Sequence, residues 1–489
     1  MCGFSGFVDN ISNKETILDE MMDKIIHRGP DEGGKYIDED IALGFRRLSI
    51  IGVSNGLQPL YNEDESLVLV FNGEIYNYQE LREELIEKGH IFKTETDSEV
   101  LIHLYEEYKN DMVKNLRGMF AFVIWDKVTK ALFAARDHFG IKPLYYSHIQ
   151  KDGEQSLLFG SEIKSLLMHP NFKKEVNKQA LKPYLTFQYS VLDETFFKGV
   201  FKLKPGHFMV YKDGVLKVEK YWDIEFNEEK INLEECKNRI KKVVSKSVEV
   251  HSHSEVPLGS FLSGGVDSSY ITKCLMPQKT FSVGFKQENF DESDLAKELS
   301  DILEIENVKK IITADECFEK LPTIQYHMDE PQSNPSSLPL YFLAELARKH
   351  VTVVLSGEGA DEIFAGYEWY GDDKKLKMYK KLPRFIRRFA AKIAKKLPYF
   401  RGRTTIIRGG SPVEEYFIGE AKIFEEKEAK DILKSEYSKS KSIKDIVRPI
   451  YAKVKNKDDV TKKQYLDLKL WLAGDILLKA DKMSMAHSI

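Results

Sequence analysis

Between Pro257 and Leu355 the sequence alternates short apolar runs with stretches of helical spacing. The order is Pro257 to Leu262, a helix from Ser268, Thr280 to Phe285, a helix from Ser293, Lys309 to Thr313, a helix from Ser336 to Lys349, then Val351 to Leu355. This pattern predicts a mostly parallel sheet flanked by helices, because strands joined through helical crossovers run in the same direction.

The first half has a different texture. From residue 1 to about 222, short β-type runs end in turn residues, as in Leu67-Val68-Leu69-Val70-Phe71 before Asn72-Gly73 and Phe120 to Trp125 before Asp126. Helices are predicted over Gln79 to Lys88 and Ser98 to Tyr108; the second spaces Val100, Leu101, Leu104 and Tyr105 along one side. These features predict an α+β domain. After Tyr221-Trp222-Asp223 comes a charged join, and then Leu233, Cys236, Ile240, Val243, Val244 and Val248 recur at helical spacing, so the boundary is placed at 222/223. With 489 residues, 42% of them hydrophobic, the chain has room for two to four domains of about 150 residues.

Composition narrows the partners. Seventy-three basic against 77 acidic residues give a net charge of −4 and no general pull toward nucleic acid or an anionic membrane. Small-molecule partners are expected. The start carries no signal-peptide pattern and no run is long enough to cross a bilayer, so a cytoplasmic location is expected. Cysteines at 2, 236, 274 and 317 form no Cys-x-x-Cys pair, which fits a reducing compartment and argues against a structural zinc site. From Lys374 to Arg403 there are 13 Lys/Arg and no acid, with Ile386, Phe389, Ile393 and Leu397 on one helix face. A membrane-surface helix is one reading, and a solvated helix docked by that stripe is the expected one.

Cys2 follows Met1, and its small side chain should permit removal of that methionine. The result is a thiol beside a free α-amine whose reference pKa of about 7.7–8.0 lets it take the thiol proton. Alone, a cysteine at this position is equally an incidental one. Its company is more telling: Met1-Cys2-Gly3-Phe4-Ser5-Gly6, His27-Arg28-Gly29-Pro30-Asp31, Arg47-Leu48-Ser49-Ile50, Phe71-Asn72-Gly73-Glu74-Ile75-Tyr76-Asn77, Thr96-Asp97-Ser98-Glu99 and Arg136-Asp137-His138-Phe139-Gly140-Ile141-Lys142-Pro143-Leu144-Tyr145-Tyr146 occur in this order. Together they resemble the class II glutamine amidotransferase domain over essentially the whole first half.

Thiolate attack on a glutamine amide creates an oxyanion that needs fixed donors. The Asn72 amide and the Gly73 N–H, expected in a tight turn after a strand, suit that need, although Asn-Gly is also an ordinary hairpin turn. The resemblance further implies that Arg47 takes the glutamine α-carboxylate in a forked contact, while Glu74 and Asp97 neutralise its ammonium.

In the second half the run Val256 to Leu262 enters Ser263-Gly264-Gly265-Val266-Asp267-Ser268-Ser269 and then a helix. Two glycines let backbone N–H groups approach an anion, serine hydroxyls add donors, and the helix N-terminus contributes partial positive charge. A bare Ser-Gly-Gly can be a turn or helix cap; seven residues between strand and helix point to a nucleotide. The loop has no lysine and so differs from Gly-x-x-x-x-Gly-Lys-Ser/Thr. It resembles instead the loop of ATP pyrophosphatases, which cleave between the α- and β-phosphates. A second strand leads into Ser356-Gly357-Glu358-Gly359-Ala360-Asp361-Glu362. Magnesium prefers hard oxygen ligands, and Asp267 and Asp361 are assigned to it. Glu358 is placed near the reacting carboxylate or incoming ammonia, its plain alternative being a helix-start acid. Leu262, Val283, Ser356 and Gly357 are carried over as nucleotide contacts.

The order of parts resembles the glutamine-hydrolysing asparagine synthetases, through Asp329-Glu330-Pro331 to Asp481-Lys482-Met483-Ser484-Met485-Ala486. That resemblance implies an N-terminal nucleophile domain of αββα sandwich form over 1–222 and an α/β parallel-sheet ATP pyrophosphatase domain over 223–489. It also implies glutamine, aspartate and ATP as substrates, Mg2+ as cofactor, a β-aspartyl-AMP intermediate, and a dry passage for ammonia between the sites. A homodimer is compatible with it. Relatives of this kind continue past His487-Ser488-Ile489 through a Val-Arg-Val-Pro-Phe-Leu-Asp-like run, so the C-terminal part of the synthetase domain is expected to be missing. Two other functions stay open at this stage: amidation of another carboxylate, on a sugar or peptide, and a glutaminase-only or regulatory role.

Overall fold

The computed structural model describes residues 2–151, 154–286 and 291–489. It divides into two compact units, one of Met1–Asn177, Asp193–Glu358 and Leu477–Ile489, the other of Lys178–Leu192 and Gly359–Ile476.

Among the described residues the first unit holds three sheets. In chain order its strands are β1 (Gly3–Val8), β2 (Glu32–Ile37), β3 (Ile41–Arg47), β4 (Leu60–Tyr61), β5 (Leu67–Ile75), β6 (Gly118–Asp126), β7 (Ala131–Arg136), β8 (Tyr145–Lys151), β9 (Glu154–Gly160), β10 (Phe201–Lys202), β11 (His207–Lys212), β12 (Val215–Lys220), β13 (Leu258–Phe261), β14 (Lys279–Phe285), β15 (Glu306–Ile312) and β16 (Val353–Leu355). Two sheets are antiparallel, ordered β10-β8-β9-β1-β3-β2 and β12-β11-β7-β6-β5-β4.

Side-chain alternation along β5 explains how these sheets layer. Val68 and Val70 face Phe4, Leu43 and Phe45 of the other sheet, whereas Leu69 and Phe71 face Leu101 and Leu104 of the helix Glu99–Tyr108. On the outer face of the first sheet, Leu18 and Met21 of the helix Lys14–Asp23 pack on Phe7 and Leu158. The result is helix, sheet, sheet, helix: the αββα sandwich.

The strand expected to end in a turn at Asn72-Gly73 instead runs on to Ile75, with Asn72 opposite Ala121 and Gly73 opposite Phe120 on β6. The physical reason is steric. A Cβ on Gly73 would lie 2.1 Å from the Met119 carbonyl oxygen, so the residue allows close strand approach rather than reversal of the chain.

The third sheet is parallel, ordered β15-β14-β13-β16. Its helices include Val266–Leu275, Ser293–Ile302 and Ser337–Arg348, as the spacing predicts. The helix Ala314–Met328 was not anticipated, although Thr313 and Glu316 form a capping box that is visible in the sequence. Pro322 inside it masks the helical signal.

The second unit is helical, and in it the basic segment departs from expectation. The helix Arg384–Ala394 exposes its apolar stripe, with Phe389 68% accessible, and buries Ala391 and Ala394. Gly410 of the helix Arg403–Gly410 approaches so closely that a Cβ there would meet the Arg387 carbonyl at 2.1 Å. Small residues permit that contact; the bulky stripe would hold the helices apart. Among the described residues no helix is long and apolar enough to cross a membrane.

Candidate active sites

At the edge of the sandwich, β1 delivers Cys2, β3 ends at Arg47, β5 carries Asn72, Gly73 and Glu74, and the turn before the helix Glu99–Tyr108 supplies Asp97. Cys2, Arg47, Gly73, Glu74 and Asp97 line one pocket. The Cys2 nitrogen donates to Asn72 Oδ1 at 3.1 Å, and its thiol lies 3.7 Å from the Leu48 carbonyl oxygen. Asn72 is fully buried, and its Nδ2 has no hydrogen-bond partner among the described residues. A buried amide donor without an acceptor is costly unless something else supplies one, as a developing oxyanion would. Burial pushes the Cys2 thiol up, with Arg47 opposing, so a thiolate at Cys2 would need a base.

The two pocket carboxylates are strained in the same direction. Burial, reinforced by Asp97, pushes Glu74 up to about 7. Asp97 is likewise pushed up to about 7 by burial, against the pull of the Ile75 N–H that donates to it at 2.8 Å. A ligand ammonium would relieve both. Arg47 does not stand free for a ligand carboxylate: it donates to Glu32 at 2.7 Å and to the Gly52 carbonyl oxygen at 2.6 Å. Glu32 is 46% exposed and can yield to a competing carboxylate.

The parallel sheet reverses its strand order between β13 and β16, and the two glycine-containing loops follow those two strands. In such sheets that crevice is where ligands bind. Leu262 pairs with Phe281 through its N–H at 2.9 Å, while Ser263 and Ser268 join through their hydroxyls at 3.0 Å. Gly264 has φ +85°, and the helix begins after Gly265, with Asp267, Ser268 and Ser269 in its first turn. A Cβ on Gly357 would sit 2.9 Å from the Ser268 N, so this glycine lets the second loop close on the first. Ser356 and Glu358 flank it, and Val283 lies within the neighbouring β14. The Asp267 side chain makes no hydrogen bond or ion pair among the described residues, and its half-buried carboxylate is available to a hard cation. Asp361 lies in the helix Ala360–Phe364 of the second unit.

Residues 1–222 match the glutamine amidotransferase domain family and residues 239–489 the asparagine synthase family. Along its whole length the chain is 44% identical to glutamine-hydrolysing asparagine synthetase 1 of Bacillus subtilis, covering 78% of that protein. The chain belongs to the glutamine-hydrolysing asparagine synthetase family. A Mycobacterium bovis relative named for the same enzyme is 38% identical over 95% of this chain and 74% of its own length. Glutamine-hydrolysing asparagine synthetase 3 of Bacillus subtilis is 32% identical over 76% of this chain and 64% of its own.

In this asparagine synthetase family member the two matched regions meet through buried charge that no single motif announced. Arg28 donates to the Cys2 carbonyl oxygen at 3.1 Å, to Glu162 at 3.0 Å and to both oxygens of Asp481 at 2.8 and 3.0 Å. Lys142 reaches Asp481 at 3.1 Å. Lys164 bridges Glu162 and Asp329, and Lys482 reaches Asp329 at 2.5 Å. Burial alone would raise Asp481, but Arg28 and Lys142 overrule it and hold the carboxyl down at about 2.

Lys479 is also a residue that sequence reasoning missed. It is 2% exposed, donates to the Ser336 hydroxyl at 2.8 Å and lies 3.4 Å from Glu358. Its sequence signal is weak, a single lysine in an apolar run just before Asp481-Lys482.

Proposed function

We propose that the chain is a glutamine-dependent asparagine synthetase, using ATP to amidate the side-chain carboxylate of aspartate with ammonia taken from glutamine. The observation that carries the first half of this reading is the unpartnered Nδ2 of Asn72 beside Cys2.

The Cys2 sulfur attacks the glutamine amide carbon, its proton passing to the α-amine of the same residue once Met1 is removed. Asn72 Oδ1 orients that nitrogen, while Asn72 Nδ2 and the Gly73 N–H stabilise the oxyanion. Collapse expels ammonia, and water cleaves the thioester to glutamate. Glu74 and Asp97 hold the substrate ammonium, and Arg47 exchanges Glu32 for the substrate carboxylate.

At the second site the aspartate carboxylate attacks the α-phosphorus of ATP, pyrophosphate leaves, and ammonia displaces AMP to give asparagine. The loop 263–269 holds phosphate oxygens through backbone N–H groups and the Ser263, Ser268 and Ser269 hydroxyls. Leu262, Val283, Ser356 and Gly357 flank the nucleotide. Asp267 would supply a hard oxygen to Mg2+, which offsets phosphate charge when bound; the assignment of Asp361 to that ion rests on sequence alone. Glu358, with Lys479 beside it, faces the reacting carboxylate or the ammonia. Four free cysteines support a reducing, cytoplasmic setting.

One assay tests the proposal. The purified chain is supplied with glutamine, aspartate, ATP and Mg2+, and glutamate, AMP and asparagine are quantified together. Asparagine matched by AMP is the expected result. Glutamate without AMP, or AMP that requires another carboxylate, overturns it.

A further inference from the structure

Away from both sites, four side chains converge from three segments of the sandwich domain. Glu63 comes from the turn between β4 and β5, His90 from the loop after the helix Tyr78–Glu87, and His103 and Glu106 from one face of the helix Glu99–Tyr108, three residues apart. One ligand atom from each lies within 4.8 Å of all the others.

We propose that Nδ1 of His90, Nδ1 of His103 and one carboxylate oxygen each of Glu63 and Glu106 form a divalent-metal site whose best-suited ion is Zn2+.

Three features of the geometry support this. The contacts between imidazole Nδ1 and carboxylate are 3.0 Å for His103 and 3.5 Å for His90 to the same Oε2 of Glu106, and at Glu63 3.6 Å from His90 to Oε1 and 3.5 Å from His103 to Oε2. With Zn–N and Zn–O bonds of about 2.0–2.2 Å, the edges of a tetrahedron are about 3.3–3.6 Å; the imidazole–carboxylate contacts are close to that length, and coordination needs a turn of the Glu63 carboxylate and a drawing-in of atoms that already lie within 4.8 Å of one another.

Next, while the buried His103 Nε2 has no hydrogen-bond partner among the described residues, Glu99 lying 3.8 Å away, His90 Nε2 meets the outer carboxylate of Glu107 at 3.2 Å. Metal-ligating histidines characteristically carry such a partner, which fixes the tautomer that leaves Nδ1 as a donor. Finally, the ligating carboxylates are themselves held, Glu63 by the Ile91 N–H at 2.9 Å and Glu106 by Asn62 Nδ2 at 2.9 Å. Two nitrogens and two carboxylate oxygens favour zinc over magnesium or calcium. Cysteine spacing has no bearing on this site, since none of its ligands is a cysteine.

The test is metal titration of the full chain after dialysis against a chelator, following bound zinc by elemental analysis, the visible absorption of Co2+ in its place, and the melting temperature. One equivalent that raises the melting temperature and gives the intense absorption of tetrahedral Co2+ is expected. It should be lost in His90→Ala and Glu63→Gln, both of which sit in surface segments, and retained in Cys2→Ala. Glu107→Gln should weaken binding about 10–100-fold, as loss of an outer partner does. Absence of saturable binding, or an equivalent that survives in both His90→Ala and Glu63→Gln, overturns the site in favour of a ring of hydrogen-bonded ion pairs.

Discussion

Arg28 and Asp481 stand 453 residues apart in the chain and form a two-pronged ion pair, at 2.8 and 3.0 Å, with both side chains withdrawn from water. The same guanidinium holds the Cys2 carbonyl oxygen, so the last helix of the first unit is coupled to the backbone of Cys2. A buried charge is tolerated only while its partners stay in place.

Asp481→Asn leaves Arg28 and Lys142 short of a counter-charge and is expected to cost about 3–5 kcal/mol in denaturant unfolding. The same carboxyl, held at about 2 in the folded chain, contributes stability that is present above its unfolded value and is lost as pH falls through about 2. In the variant that part of the acid transition should disappear. An unchanged midpoint would show that the pair is energetically idle.

Cys2→Ala should abolish glutamine-dependent asparagine formation and leave formation from added ammonia intact, because only the first site is lost. Equal loss of both activities, measured side by side, would contradict two separate chemistries.

For Asn72→Ala the expectation is a fall in glutaminase kcat of about 10²–10³-fold, the usual loss on removing one oxyanion donor, with a smaller change in KM. A variant that alters KM alone would assign Asn72 to ground-state binding.

Glu74 and Asp97, both at about 7 in the free pocket, set a pH dependence. Raised carboxyls contribute stability that is present below their unfolded values and is lost as pH rises through about 7. A substrate ammonium needs them ionised, so KM for glutamine should fall between about pH 6 and about pH 8. Glu74→Gln should raise KM and flatten that slope; a parallel profile in the variant would remove Glu74 from substrate binding.

Asp267→Asn should eliminate AMP release while sparing glutamine hydrolysis. Normal AMP release at saturating Mg2+ would refute the ligand assignment.

Local pattern fixed the secondary structure wherever one signal dominated. Alternation along Leu67 to Phe71 and the strand-to-helix rhythm after Pro257 depend on neighbours in sequence, and Cys2, Asn72-Gly73 and Ser263 to Ser269 carry chemistry in their own residue types. What pattern could not convey was pairing. Asn-Gly reads as a turn until β6 is known to run alongside it, because the clash that demands Gly73 is with the Met119 carbonyl, 46 residues away. The stripe of Phe389 looks built for burial until Gly410 brings a different face into contact. Arg28, Lys142, Asp329 and Asp481 each look like an ordinary surface charge. Their burial and their mutual compensation exist only when the chain has folded, since the energy of a charge in the interior depends on what surrounds it rather than on what precedes it.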